Sequence, residues 1–194
     1  MKSLIFATGN EHKLEEIREK LPNGFAVTSM REIGFDGDIP ETGKTLSENA
    51  SIKADFIHSK YNVDCFADDT GLEIEALGGE PGVFSARYAG ENCSFEDNTR
   101  KVLDKLSGIS NRQARFVTVI HLILGNKHYS FNGLINGTIT SEPRGEKGFG
   151  YDPIFIPSGQ TRTFAEMSLD EKNQISHRAI AVKKLADFLN TRNG

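Results

Sequence analysis

Three carboxylates are the side chains in this sequence best suited to chemistry. Asp68 and Asp69 precede Thr70, and Glu41 stands in an earlier glycine-rich segment. Two adjacent carboxylates at a tight turn would not both stay ionised comfortably without a cation. Magnesium binds a few carboxylates together with water and phosphate oxygens, so Glu41 and one aspartate are candidate ligands. Because side chains alternate along an extended strand, only one of the aspartates is expected to reach the metal. The Asp-Asp-Thr-Gly string is also typical of an ordinary turn.

Lys13 stands where a helix disfavours a cation. It falls in the first turn of the first predicted helix, where the macrodipole makes a positive charge unfavourable by about 0.3–1 kcal/mol. The amides of Thr8, Gly9 and Asn10 precede it at a strand-to-helix turn, which is a kind of site that binds phosphate. Lys13 would supply the countercharge there. A solvated surface lysine explains its position about equally well.

Further polar residues interrupt apolar surfaces of predicted helices. His177 and Arg178 begin the last helix, behind the candidate N-cap Ser176. In the second helix, Asn49 and Lys53 share the face of a predicted apolar stripe. Taken alone, the position of Lys53 is better explained by a side chain at the edge of the core whose ammonium group reaches solvent.

The elements that must position these residues alternate irregularly between strand and helix. Periodicity predicts a strand at 3–7, a helix that carries Leu14, Ile17 and Leu21 and ends before Pro22, and a second helix over 45–60. It then predicts strands at 64–69 and 72–77 around an Asp-Thr-Gly turn, a helix over 95–106, a hairpin of 115–124 and 127–135 around Gly125 and Asn126, and a helix over 177–190. This order favours an α/β fold with a mixed β-sheet flanked by helices.

Composition restricts the class of protein. The 194 residues suit a single domain, 1–194, and the net charge of −4 offers no basic field for nucleic acid or an anionic membrane. The sequence shows neither a signal peptide nor an apolar run long enough to span a membrane. Two cysteines, Cys65 and Cys93, fit a reducing compartment. We therefore expect a cytoplasmic protein with a small-molecule ligand.

Six segments together resemble the inosine/xanthosine triphosphate pyrophosphatase family. They occur in the family's order and cover nearly the whole chain: TGNEHK (8–13), ETGKTLSENASIKA (41–54), ADDTGLEI (67–74), LGGEPGVFSARYAG (77–90), GFGYDPIF (148–155) and EKNQISHR (171–178). The resemblance implies two lobes around a central cleft, a homodimer, and hydrolysis of ITP, dITP or XTP to the monophosphate and pyrophosphate. It also implies a requirement for Mg²⁺, with Mn²⁺ as a possible substitute.

The resemblance further assigns roles to residues. Asp69, Lys13 and Lys53 are implied to be catalytic, with Asp69 as general base, and Glu41 and Asp69 are implied to bind the metal. For Asp68 two roles remain open: it binds the metal directly, or it contacts a residue that does. The implied substrate-binding residues are Thr8, Gly9, Asn10, Glu11, His12, Lys13, Lys53 and Thr70 and, at the nucleoside end, Phe149, Gly150, Tyr151, Asp152, Lys172, His177 and Arg178.

Two other classes of function compete with this interpretation. A serine hydrolase based on Ser176 and His177 is a poor alternative, because the sequence contains no G-x-S-x-G motif. A module that binds a purine triphosphate without cleaving it is a serious one, and the acidic pair favours catalysis over it. The remaining histidines show no mutual metal-ligand spacing and are expected to be structural or solvated: His12, His58, His121 and His128.

Overall fold

The computed structural model describes residues 1–18 and 20–192; of the predicted domain 1–194, Glu19, Asn193 and Gly194 lie outside the described residues. The main elements are β1 (Lys2–Phe6), α1 (Glu11–Ile17), β2 (Phe25–Ser29), α2 (Leu46–Tyr61), β3 (Cys65–Ile74), α3 (Phe95–Lys105), β4 (Gln113–Leu124), β5 (Lys127–Ile139), β6 (Phe155–Pro157), α4 (Leu169–Ile175) and α5 (His177–Asn190). Within these residues, none of the helices has the length and apolarity that crossing a membrane requires.

The strands form one mixed sheet in the order β2-β1-β3-β4-β5-β6. β1 pairs in parallel with β2 and with β3, whereas β5 and β6 are antiparallel. The prediction of an α/β fold with a mixed sheet and flanking helices is therefore confirmed. The hairpin is confirmed as well, since Gly125 and Asn126 link β4 to β5 with φ values of 55° and 60°, which suit a tight two-residue turn.

The chain divides into two compact units, each with an apolar core. The first unit contains Met1–Asp69, Thr118–Gly133 and Arg178–Gly194, and the second contains Thr70–Val117 and Leu134–His177. In the first unit Phe6 stacks on Phe66 among buried residues of β1, α1 and α5. In the second unit Phe116, Phe155 and Phe164 pack together. That both units form a single domain stays a prediction.

The largest error of the sequence prediction concerns β3. A turn was expected at Asp69–Gly71, but β3 runs without interruption from Cys65 to Ile74, and a short 3₁₀ turn, Glu75–Leu77, replaces the end of the second strand. Asp and Gly favour turns locally. Here burial of almost every β3 side chain and pairing within the sheet outweigh that preference.

Helix boundaries were predicted with mixed success. α2 and α5 lie where the apolar periodicity placed them. α1 stops at Ile17 because Arg18 turns to ψ 135°, so Leu21 packs on the core from outside the helix. The short helix α4 was missed, although Ser168 and Glu171 form the capping box that marks its start.

Candidate active site

The loop between β1 and α1 places Lys13 against a buried carboxylate. The Asn10 side chain accepts a hydrogen bond from the Lys13 amide (3.2 Å) and so caps α1. Lys13 Nζ donates to Asp68 Oδ1 at 2.9 Å. Burial lowers the pKa of Lys13 despite the attraction of Asp68. The cation that the helix start disfavours is therefore held in place by an ion pair.

The three amides expected to bind an anion are partly used within the chain. The Thr8 amide donates to the Phe6 carbonyl (2.8 Å), and the Asn10 amide donates to Thr8 Oγ1 (3.2 Å). Residues Thr8 to Glu11 also line a cavity of about 170 Å³ in the first unit. At the surface, Glu11 pairs with Arg31 (3.0 Å) and His12 lies 3.8 Å from Glu15. The loop thus borders an open space.

Asp68 connects two cations inside the first unit. Its Oδ2 accepts from Arg178 Nε at 3.1 Å, and Arg178 Nη1 donates to Glu16. Asp68 is fully buried and Arg178 is 2% exposed. Burial alone would raise the pKa of Asp68, but Lys13 and Arg178 hold it well below its usual value. Both oxygens of Asp68 thus bind cationic side chains, which favours a positioning role over direct contact with a metal.

Asp69 lies on the opposite face of β3 and contacts α2. Its Oδ2 accepts from Asn49 Nδ2 (3.1 Å) and its Oδ1 from Lys53 Nζ (3.2 Å). Lys53 Nζ also donates to Glu41 Oε1 at 2.7 Å. Burial raises the pKa of Asp69 against the opposing effect of Lys53. Burial would lower the pKa of Lys53, but Asp69 and other nearby carboxylates raise it.

Asn49 joins the Glu41 loop to Asp69. Its Oδ1 accepts from the Gly43 amide at 2.8 Å, while its Nδ2 binds Asp69. A Cβ at Gly43 would lie 2.7 Å from Asn49 Oδ1, so only glycine lets the loop approach this closely. Asn49 therefore ties the segment that follows Glu41 to Asp69, and both carboxylates contact the Lys53 ammonium.

Glu41 and Asp69 fit a magnesium ion as a partial ligand set. Both are oxygen donors within reach of one cation, the Lys53 ammonium. Magnesium is commonly bound by one or two carboxylates plus water and substrate phosphates. The described part of the chain contains no group of three or more His, Cys, Asp or Glu side chains placed to hold a metal by themselves. A metal here would therefore need phosphate oxygens or water as further ligands.

In the second unit, the predicted nucleoside-binding residues form a buried ionic cluster beside an aromatic ring. Asp152 Oδ2 accepts from Lys172 Nζ (2.7 Å) and from the Phe149 amide (2.9 Å). Lys172 Nζ lies 4.8 Å from the centroid of the Phe149 ring. Gly148 has φ 75°, and a Cβ there would stand 2.1 Å from Asp152 Oδ2. This segment can offer a ring face and a cation to a planar ligand.

The other predicted residues of this end have different surroundings. His177 stacks on Phe116 with centroids 4.5 Å apart. The Tyr151 hydroxyl donates to the Ser85 carbonyl (2.8 Å), and burial raises its pKa, so it remains a neutral phenol in the core. The Gly150 carbonyl accepts from Thr99 Oγ1 (3.4 Å). Thr70 is half-buried within β3.

Two residues of the site were not predicted from the sequence. Glu16 binds Arg178, but nothing in its local sequence distinguishes it from its neighbour Glu15. The sequence indicated Asn49 only as a polar residue on the apolar face of α2. Its position one turn before Lys53 was a usable signal, because residues four apart share a helix face.

Comparison with known proteins gives matches over nearly the full length. The model of the Ham1 family matches residues 4–188. A dITP/XTP pyrophosphatase of Porphyromonas gingivalis is 56% identical over 190 residues, which cover 97% of this chain and 98% of that protein. A protein of the same name from Bacillus subtilis is 49% identical over 193 residues, covering 97% and 98%. The solved structure of the Staphylococcus aureus Ham1 protein superposes with a TM-score of 0.90 at 41% identity, covering 98% of this chain and 100% of that one.

Proposed function

Because this chain belongs to the Ham1 family, we propose that it hydrolyses non-standard purine nucleoside triphosphates, namely ITP, dITP and XTP, to the monophosphate and pyrophosphate. This reaction would remove aberrant nucleotides from the nucleotide pool. The observation that carries the proposal is the pair of ionic networks on opposite faces of β3. Asp68 holds Lys13, and Asp69 lies between Asn49 and the Lys53–Glu41 pair.

The chemistry follows from these charges. Attack of water on the α-phosphorus transfers negative charge to the departing pyrophosphate, and positioned cations stabilise that charge. Lys13 and Lys53 would serve this role, with the Thr8–His12 loop and Thr70 binding the triphosphate. Asp69 would accept the proton of the attacking water. The resemblance places Arg178 at the nucleoside end, but Asp68 binds both Arg178 and Lys13, so we propose that Arg178 acts at the phosphate end instead.

A divalent cation would complete this site. We propose that Glu41 and Asp69 hold Mg²⁺, with Mn²⁺ as a possible substitute. When bound, such an ion supplies positive charge to phosphate oxygens and lowers the pKa of a coordinated water. The chain's own contribution is to fix the two carboxylates: Asn49 holds Asp69, and Lys53 holds Glu41.

Recognition of the base would use the cluster of the second unit. Phe149 offers a face for stacking, and Lys172 is a donor for the 6-oxo group of hypoxanthine or xanthine. Adenine presents an amino donor at that position, so a buried cation would lose its partner. The loop of this cluster is formed by the backbone of Gly150, Tyr151 and Asp152. His177, which stacks on Phe116, would belong to the same end of the site.

Location and assembly belong to the same proposal. We infer a cytoplasmic enzyme that acts as a homodimer and consists of a single domain. The free thiols of Cys65 and Cys93 are compatible with a reducing compartment. Light scattering during size-exclusion chromatography would test the dimer directly, since a mass near 21.4 kDa would refute it.

Pyrophosphate release tests the function. We expect release from ITP, dITP and XTP with Mg²⁺, little from ATP, and none without a divalent ion. Asp69→Asn should abolish turnover while the nucleotide still binds, whereas Asp187→Asn, which changes an exposed aspartate of α5, should leave turnover unchanged. Binding of ITP without pyrophosphate release in the native chain would instead identify a nucleotide-binding module.

A further inference from the structure

Two histidines that the proposed reaction does not use face each other in the first unit. His121 lies in β4 and His128 in β5, seven residues further along the chain. That spacing alone is not typical of a metal site. In the structure His121 Nε2 lies 3.0 Å from His128 Nδ1, and the ring centroids are 5.3 Å apart. The hairpin therefore brings two nitrogens, both potential metal ligands, to one place.

A carboxylate lies next to the pair. Asp55 of α2 places Oδ1 at 3.8 Å from His128 Nδ1, and its Oδ2 accepts from Ser51 Oγ at 3.0 Å. About half of the His128 and Asp55 side chains is exposed, so a cation can reach them from solvent. Burial lowers the pKa of His121, which favours the neutral imidazole, the form that binds metal ions.

The elements that carry these side chains are fixed. The turn between the strands is anchored by the Gly125 amide, which donates to Asp64 Oδ1 at 2.7 Å. Ile123, between the turn and His121, is fully buried, and so is Ala54, the neighbour of Asp55. Ligands on strands and helices are held more precisely than ligands on loops.

We propose that His121 and His128 bind a divalent cation of the Zn²⁺, Ni²⁺ or Cu²⁺ class, with Asp55 as the adjacent anion and water in the remaining positions. Nitrogens at about 2.0–2.1 Å from a tetrahedral zinc lie roughly 3.3 Å apart, close to the 3.0 Å observed. The described residues contain no cluster of three or more ligands able to enclose an ion, so this site is open. Imidazole nitrogen favours these ions over magnesium, which prefers oxygen. The site is thus chemically distinct from Glu41 and Asp69.

Titration calorimetry of the untagged full chain tests the proposal, because a purification tag would itself bind these ions. With excess Mg²⁺ present to occupy oxygen ligands, we expect one equivalent of Zn²⁺ or Ni²⁺ to bind, and Cu²⁺ to bind more tightly. His121→Gln and His128→Gln should each weaken binding at least tenfold, and Asp55→Asn by about tenfold.

The matched control is His12→Gln, which removes an exposed histidine of α1 and should leave the affinity unchanged. Circular dichroism verifies that each variant is folded. Equal affinity in the native chain and in the variant that lacks both His121 and His128 would overturn the proposal, as would loss of binding in His12→Gln. The pair would then be only a hydrogen bond between two imidazoles.

Discussion

Asp68→Asn tests whether the buried ionic network stabilises the first unit. Asp68 is fully buried, and its two oxygens bind Lys13 Nζ at 2.9 Å and Arg178 Nε at 3.1 Å. Asparagine would remove this charge partner from the buried Arg178 and from Lys13, whose side chain is 14% exposed. Breaking a buried ion pair by removing one partner costs about 3–5 kcal/mol. For a chain of this size that corresponds to a fall in Tm of roughly 6–20 °C.

Urea unfolding followed by far-UV circular dichroism measures this loss, since the chain has no tryptophan for fluorescence. Arg115→Gln is the control, because Arg115 pairs with Glu73 (2.6 Å) but is 52% exposed. It should cost only about 0–1 kcal/mol. A loss below about 1 kcal/mol for Asp68→Asn as well would refute the reasoning, since that is the value of an exposed pair.

The pH dependence of the same variant provides a second check. The folded-state pKa of Asp68 is lowered, so its ionisation stabilises the fold above the unfolded pKa of about 3.9. This contribution is lost as the pH falls towards the folded value. The difference in stability between the native chain and Asp68→Asn should therefore be largest near neutral pH and shrink below about pH 4. A difference that is constant down to pH 3 would contradict the assignment.

Three further substitutions give distinct outcomes. Asp69→Asn should lose turnover yet lower the free energy of unfolding by no more than about 1 kcal/mol, because burial disfavours the ionised carboxylate of Asp69 and Lys53 keeps Glu41 as a partner; a loss as large as that of Asp68→Asn would refute this. Arg178→Ala should reduce pyrophosphate release from ITP and ATP by similar factors, since its guanidinium binds Asp68 and Glu16; a selective loss on ITP would assign it to the base. The Cβ added by Gly148→Ala would displace Asp152 from the Phe149 amide and from Lys172. Hydrogen bonds to charged groups are worth about 1.5–3 kcal/mol, so KM should rise by roughly 10–150-fold. An unchanged KM in initial-rate measurements would show that Asp152 does not position the base.

The sequence predicted those parts of the fold whose information is local. The stripe of Leu46, Ala50, Ala54 and Ile57 defined α2, and all four side chains are buried. The dipeptide Gly125-Asn126 marked the hairpin because both residues accept positive φ. Lys13 in the first turn of α1 and Lys53 on the apolar face of α2 are charges in unfavourable positions, and each is paired with a buried aspartate.

What the sequence did not predict depends on contacts between distant segments. The continuity of β3 through Asp68 and Asp69 follows from sheet pairing and from cations supplied by α1, α2 and α5, none of which is visible in a local window. Glu16 is paired with Arg178, 162 positions away. The His121–His128 contact is different, because these residues are only seven apart on the predicted hairpin, and it depends on the register of the two strands.

Because β3 is unbroken, its strand register determines which aspartate faces which helix. Alternation along the strand sends Asp68 towards Lys13 and Arg178, and Asp69 towards Asn49 and Lys53. Inserting or deleting one residue just ahead of them would exchange the two faces and give each helix the wrong carboxylate. Homologues are therefore expected to accept length changes in the loops around β3 but not within it.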